Sequence, residues 1–322
     1  MKSNKPLKFI DLFAGIGGFR IALESFGESC VFTSEWDKQC QNTYKANFND
    51  IPFGDITKIK EEDIPVHDIL CAGFPCQAFS ISGKQRGFED ARGTLFFDVA
   101  RIAKYHKPKV LFLENVKNFA KHDNGRTLKV VLEVLENIGY IPFFKVLNAS
   151  NYGQPTTRER IYFVAFRKDL NIKNFKFPDG QNKASILKDL LEENVDDKYF
   201  INRTDIKIKD KEISKNLLGD YPQKPIRVGT INKGGQGERI YSIYGHSITL
   251  SAYGGGVASK TGGYLIDGKV RKLTPRECAR IMGFPDSFKI PVTDSQAYKQ
   301  FGNSVVIPVL KEVYREIYKF IH

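Results

Sequence analysis

The stretch "LKFIDLFAGIGGFRIALESFGESCVFTSEW", residues 7–36, decides the fold. "LKFIDLFAG" is an apolar run ending on glycine, "GGFRIALESFG" carries apolar residues at helical spacing and stops at Gly27, and "CVFTSEW" reads as a second strand. Together they form a βαβ unit. Gly15, Gly17 and Gly18 fall directly after the first strand and before the helix, and Glu35 closes the second strand twenty positions after Gly15. A carboxylate at that place bonds the ribose hydroxyls of a nucleotide in Rossmann-type sites. The third glycine of a dinucleotide fingerprint is replaced here by Arg20, so the helix start is not built for pyrophosphate. The expected ligand is a nucleoside without pyrophosphate, such as S-adenosylmethionine. Trp36 is then placed for its sulfonium side, Phe13 for the adenine, and Asp55, followed by Ile56 in "FGDI", for the adenine amino group. An ordinary tight turn of an α/β fold explains the glycines equally well when they are taken alone.

The rhythm continues through "DKQCQNTYKANF" (helix), "HDILCAG" (strand), "GTLFFDVARIAKYH" (helix), "PKVLFLEN" (strand) and "RTLKVVLEVLENIG" (helix). "YIPFFKVLNAS" and "RIYFVAFRK" follow as strands. Such alternation predicts an α/β fold, a Rossmann-like, mostly parallel sheet covered on both faces. After about Lys188 the rhythm is lost in Gly-, Tyr- and Lys-rich segments that read as a smaller, mainly β region. The expected domains are residues 1–188 with 303–322 for the larger, 189–274 for the smaller, and 275–302 as hinge and connection. "SQAYKQFGNSVVIPVLKEVYREIYKFI" reads as helical again.

Composition sets outer limits. The 322 residues, 41% hydrophobic, suffice for one large domain or two. No apolar run reaches the roughly 18 residues of a membrane span, and the start lacks a signal peptide's apolar region, so a cytoplasmic protein without membrane contact is expected. Five scattered cysteines without a CxxC pair argue against a disulfide framework and a metal site. The net charge of +12 favours a polyanionic partner, nucleic acid first, although solvating lysines produce the same balance.

Cys76, in "GFPCQAFS", follows a strand at its carboxyl end, where open α/β sheets place their active sites. Pro75 stiffens that turn, and a thiolate there is a strong nucleophile. Cys71, inside the apolar strand, reads as an inert buried residue. "LFLEN" brings Glu114 to the same edge, and "TTRERIY" brings Arg158 and Arg160 to the start of a further strand. A desolvated carboxyl group can donate to a heterocycle nitrogen, and an arginine can bind a ring carbonyl. Singly these are ordinary strand-end and surface residues; with the Pro-Cys loop they make a cytosine pocket.

Taken in order, "DLFAGIGG", "GFPCQAFS", "LFLENV", "RERIY", "RKLTPRECARIMGFP" and "QFGNSV" resemble the motifs of the DNA (cytosine-5)-methyltransferases over nearly the whole chain. The resemblance implies double-stranded DNA as partner, S-adenosylmethionine as methyl donor with S-adenosylhomocysteine as product, and no metal. It implies a covalent Cys76 adduct at cytosine C6, with Glu114 at N3 and the exocyclic amine, Arg160 at O2, and Arg158 positioning the base and its phosphate. The base must be flipped from the stack, with residues 77 to 95 as the closing loop. Ser80 and Ser82 of that loop and Gln236 of the smaller region are implied DNA contacts, Ser82 and Gln236 at the gap the base leaves. In "GGQGERIYS" Arg239 can pair with guanine O6 and N7, and Arg227, Ser251 and Tyr253 are further recognition candidates. Asn303 and Ser304 are expected near the cofactor.

Segments 234–242, 250–256 and 260–265 resemble one branch of the family, which implies GCGC as target, methylated on the cytosine after the first guanine. Thr157 stands where the resemblance implies lysine. A bacterial, monomeric modification enzyme with a separate cognate restriction endonuclease is the implied setting. The base that removes the C5 proton is left open between a side chain and a water near Asn115. A nicotinamide or flavin oxidoreductase would explain Gly15 to Glu35 but not the Pro-Cys loop. A catalytically inactive DNA binder would not need Cys76 and Glu114, and an RNA cytosine methyltransferase differs only in substrate.

Overall fold

A computed structural model describes residues 5–75, 94–180, 185–209 and 222–322. The chain divides into two compact units, one of residues 1–147, 159–178 and 310–322, the other of residues 148–158 and 179–309.

The first unit is built on a six-stranded sheet of order β2-β1-β3-β4-β6-β5. Its strands are β1 (Lys8–Leu12), β2 (Ser29–Ser34), β3 (Ile69–Gly73), β4 (Val110–Val116), β5 (Tyr140–Asn148) and β6 (Glu159–Arg167). β1 runs parallel to β2 and β3, and β3 parallel to β4, while β6 is antiparallel to β4. The central strands carry apolar residues on both faces, as a sheet covered on both sides requires, and Ile10, Leu12, Leu70, Ala72, Leu111 and Leu113 join one core. The helices are α1 (Gly18–Glu24), α2 (Lys38–Phe48), α3 (Leu95–His106) and α4 (Arg126–Asn137). Asp37 starts α2 by accepting from the backbone N–H of Gln39 (2.8 Å) and Cys40 (3.4 Å), and α3 stops at Lys107, just before Pro108.

Strand order places the chemistry. From β1 the chain passes outward to β2 and then returns past β1 to β3, so a topological switch point lies between β1 and β3. At such a point the loops leaving neighbouring strands diverge and open a crevice at the carboxyl edge. That edge carries Phe13–Gly18, Glu35–Asp37, Phe74–Pro75 and Glu114–Asn115, and β6, running the opposite way, begins there with Glu159 and Arg160.

The second unit holds a five-stranded sheet of order β11-β10-β9-β8-β7. Its strands are β7 (Lys207–Ile208), β8 (Arg227–Thr230), β9 (Arg239–Ser242), β10 (Gly263–Ile266) and β11 (Lys269–Lys272), over a core of Ile201, Ile226, Val228, Ile231, Ile240 and Val270. Residues 148–158 are tied into this unit: Thr156 bridges to Ser247, and Ser247 N donates to Pro155 O (2.6 Å). Two helices, α5 (Pro275–Ile281) and α6 (Asp294–Asn303), occupy the stretch expected to be connection. The α5 start is a capping box between Thr274 and Glu277 with Pro275 in the first turn. Glu277 is also held by Arg271 through bonds of 2.6 and 2.8 Å, wholly out of water. The last stretch, expected to be helical, holds two helices: α6 ends at Asn303 and α7 (Ile307–Ile321) begins afresh, with Pro308 in its first turn, where a missing N–H does no harm.

His67, just before β3, is buried; its Nδ1 lies 2.8 Å from Pro65 O and its ring 4.8 Å from that of His106. Burial pulls its pKa from 6.5 down to about 4. A base depressed in the folded state stabilises the fold fully above its unfolded pKa, and that contribution is lost as pH falls from 6.5 towards 4, by up to about 3 kcal/mol. In urea titrations at pH 7 and pH 4.5, His67→Gln should lose less stability between the two than the unchanged protein; an equal loss would contradict this account.

Candidate active site

Within the first unit the turn after β1 is shaped by two left-handed residues, Phe13 (φ 57°) and Gly15 (φ 55°). For phenylalanine that conformation costs on the order of 1–3 kcal/mol. Gly15 N donates to Glu35 Oε2 and Asp37 N to Glu35 Oε1, both at 2.8 Å, so one carboxylate joins the turn after β1 to the turn after β2. Burial pushes the Glu35 carboxyl up, and these backbone donors oppose the shift. Trp36, the only tryptophan, is 78% exposed between the anchored residues 35 and 37. Asp55 caps the turn that begins with buried Ile56; Thr57 donates to its Oδ1 from N (3.1 Å) and Oγ1 (2.8 Å), and these bonds hold its carboxyl below the usual range.

These residues fit an adenosyl sulfonium ligand. Space stands open above Gly15, where an added Cβ would meet nothing within 4 Å. A large indole faces solvent beside a buried carboxylate, and a second, ionised carboxylate lies on the neighbouring turn. Gly17 and Gly18 complete the loop, Gly17 left-handed at the start of α1. Arg20 does not point to a ligand phosphate: it bonds Glu24 (2.7 Å), Tyr44 (3.1 Å) and Asp50 (2.8 Å) and lies over the Phe48 ring, tying α1 to the end of α2. Asp11, in the middle of β1, was not singled out from sequence because it sits in an apolar run. It is wholly buried, and desolvation raises its pKa well above the usual range.

The second group of residues is set by β-sheet register. On β4, Glu114 and Val116 share a face, and β6 places Arg160 opposite Val116, diagonal to Glu114. Arg160 Nε lies 3.1 Å from Glu114 Oε1, both side chains being largely buried. Asn115 points the other way, where Nδ2 donates to Phe74 O (2.9 Å) and Oδ1 accepts from Val116 N (2.8 Å). Both ends of its amide are engaged in the protein. Phe74 is further held between Phe96 and Phe119, with ring centroids 5.5 Å away in each case. The chain is thus fixed at Phe74, two residues before Cys76; Cys76, Ser80 and Ser82 lie outside the described residues. Cys71 is buried in β3, and burial pushes its thiol far up, in keeping with an inert residue.

Arg158 belongs to the second unit. It is 2% exposed and bonds the carbonyls of Leu250, Gly302 and Ser304. The carbonyl of Thr157 accepts from Thr249 Oγ1 (3.3 Å). Gln236 is exposed in the short turn before β9, Arg239 begins that strand, and Arg227 begins β8. Ala258 N donates to Gly237 O (2.9 Å), which brings the Gln236 turn against the segment that follows Tyr253. Tyr253 is 72% exposed, and Ser251 Oγ closes a small turn with its backbone. Asn303 ends α6 exposed, and Ser304 follows it half-buried. Among the described residues no group of His, Cys, Asp and Glu is placed to hold a metal ion, and no helix is long and apolar enough to cross a membrane.

The sequence matches the C-5 cytosine-specific DNA methylase family over residues 7–319. It is 59% identical to the type II methyltransferase M.HhaI of Haemophilus parahaemolyticus, over 97% of this chain and 94% of that protein. It is 48% identical to the type II methyltransferase M.HpaII of Haemophilus parainfluenzae, over 98% and 91%. In fold it is similar to a Spodoptera frugiperda DNMT2 mutant (TM-score 0.74, 21% identity, 97% and 99% covered). A putative DNA modification methyltransferase encoded within a prophage of E. coli gives the same TM-score at 22% identity, with 98% and 99% covered.

The Glu114–Arg160 pair joins β4 to β6, and the Gly15–Glu35 bond joins the turns after β1 and β2. Glu114→Gln should lower the methylation kcat by on the order of 10²–10⁴, while S-adenosylhomocysteine binding, measured by calorimetry, stays within about twofold. A comparable loss of cofactor binding would contradict this division.

Proposed function

This chain belongs to the C-5 cytosine-specific DNA methylase family, and from that premise we propose that it methylates C5 of a cytosine flipped out of duplex DNA, through a covalent bond from Cys76. Its activity is DNA cytosine-5 methylation with S-adenosylmethionine as donor. The observation that carries the finer reading is the Glu114–Arg160 pair, next to the backbone that Asn115 fixes just before Cys76.

Ring chemistry sets the order of events. C5 of cytosine is too weak a nucleophile for a sulfonium methyl, so Cys76 Sγ, as thiolate, adds to C6 and makes C5 an enamine carbon. Glu114 donates to N3 as electrons move into the ring, and Arg160 holds O2. S-adenosylmethionine, when bound, supplies the electrophilic methyl carbon. A base then takes the C5 proton, the electron pair re-forms the C5–C6 double bond, and the thiolate leaves. Phe13, Gly15, Gly17, Gly18, Glu35, Trp36, Asp55, Ile56, Asn303 and Ser304 are the proposed cofactor residues. A stacked base exposes neither ring face, which is why the cytosine has to leave the helix.

Arg227, Gln236, Arg239, Ser251 and Tyr253 are the proposed DNA contacts, joined by Ser80 and Ser82. The likeness to M.HhaI in these segments supports GCGC as the target, methylated on the inner cytosine. The likeness to type II methyltransferases supports a role as the modification enzyme of a bacterial restriction-modification system, acting in the cytoplasm as a monomer with a separate endonuclease.

The test uses duplexes with 5-fluorocytosine at the target, since fluorine cannot leave as a proton. With S-adenosylmethionine, a GCGC duplex should give a covalent band on a denaturing gel, absent for Cys76→Ser. A band on GGCC instead would overturn the specificity, a band only on RNA would move the substrate, and no band would overturn the covalent mechanism.

A further inference from the structure

Arg158 is 2% exposed, and the places its guanidinium donors go call for a physical reason. Its Nη2 donates to Gly302 O (3.0 Å) and Ser304 O (2.6 Å), and its Nη1 to Leu250 O (3.4 Å). Two of these carbonyls belong to the end of α6, where a helix presents unsatisfied oxygens and the negative end of its dipole. A guanidinium meets that need with a planar fork of donors, which a lysine ammonium does not reproduce. The third carbonyl, that of Leu250, opens the Ser251–Tyr253 loop.

An independent observation lies on the same seam. The backbone of Gly302 is pressed against that loop so closely that an added Cβ would lie 2.4 Å from Ala252 N and 2.6 Å from the carbonyl carbon of Ser251. Side-chain bonds and backbone contact therefore fasten the same two segments, both inside the second unit. Moving one without the other would open a buried cation and up to three carbonyls to no partner, a strongly unfavourable state.

We propose that Arg158 is a positioning residue that holds the Ser251–Tyr253 loop and the Asn303–Ser304 turn as one piece, and that it touches neither the cytosine nor its phosphate. The proposal rests on the reading above that Ser251 and Tyr253 face DNA and that Asn303 and Ser304 face the cofactor. If one piece carries both sets of contacts, a ligand that orders either set orders the other, and the two affinities are linked reciprocally. Arg158 thus has a different role from the one the resemblance implies. Arg160, two residues on, reaches Glu114, whereas Arg158 bonds the backbone carbonyls of Leu250, Gly302 and Ser304.

The test is binding of S-adenosylhomocysteine without DNA, and of a GCGC duplex with and without S-adenosylhomocysteine. The unchanged protein, Arg158→Met, Arg158→Lys and Gly302→Ala are compared, and thermal melting checks that each is folded. The unchanged protein should bind the duplex more tightly with S-adenosylhomocysteine than without it, and Arg158→Met should weaken S-adenosylhomocysteine binding roughly tenfold in the absence of DNA and abolish that difference. Arg158→Lys should recover part of both. Gly302→Ala, which leaves the arginine in place, should show the same paired loss, and it carries the test should Arg158→Met not fold. A residue that touches the base or phosphate would leave cofactor binding without DNA unchanged, and that result in Arg158→Met, or in both other variants, overturns the proposal. Failure of the unchanged protein to bind S-adenosylhomocysteine overturns the cofactor reading, and this proposal with it.

Discussion

The carboxylate of Glu35 holds two turns at once, and the carboxyl edge of the first sheet depends on it. One oxygen takes the N–H of Gly15 and the other that of Asp37, so the loop leaving β1 and the start of α2 are fixed to each other rather than to solvent. The Glu35 carbonyl in turn accepts from the Gln41 side chain, which locks the strand end from the helix side. Trp36 is held outward because both its neighbours are anchored. A carboxylate oxygen can accept more than one hydrogen bond, so a group that organises backbone keeps capacity for a ribose hydroxyl.

A second constraint, the antiparallel pairing of β6 with β4, acts independently. A parallel strand would enter this edge with its carboxyl end; β6 enters with its first residues and so delivers Arg160 beside Glu114. Asn115, on the opposite face of the same strand, fixes the backbone of Phe74. Alternation along one strand therefore sets Glu114 beside Arg160 on one face and an anchor for Phe74 on the other.

Much of the first unit was legible because its strands and helices alternate and its glycines and carboxylates fall at strand ends. Glu35, Trp36, Glu114 and Arg160 were placed at the sheet edge by the same logic. Asp11 was hidden by its apolar neighbours. Arg158 and Arg160 stand together in one short motif, but β6 starts at Glu159, so Arg160 lies on the strand and Arg158 just before it. Helix α5 had a readable signature in Thr274, Pro275 and Glu277, which the expectation of a connecting segment overlooked. The fastening of Gly302 to Ser251 and Ala252 is a contact between segments some fifty residues apart, and no local pattern carries such information.

The most direct test of the central claim is the identity of the methylated base. Purified protein, S-adenosylmethionine and a cytosine-containing duplex would be incubated, the DNA digested to nucleosides, and the products separated by liquid chromatography with mass detection. The account predicts 5-methyldeoxycytidine, formed only when S-adenosylmethionine is present. N4-methyldeoxycytidine, or no methylated nucleoside from an intact duplex, would contradict it.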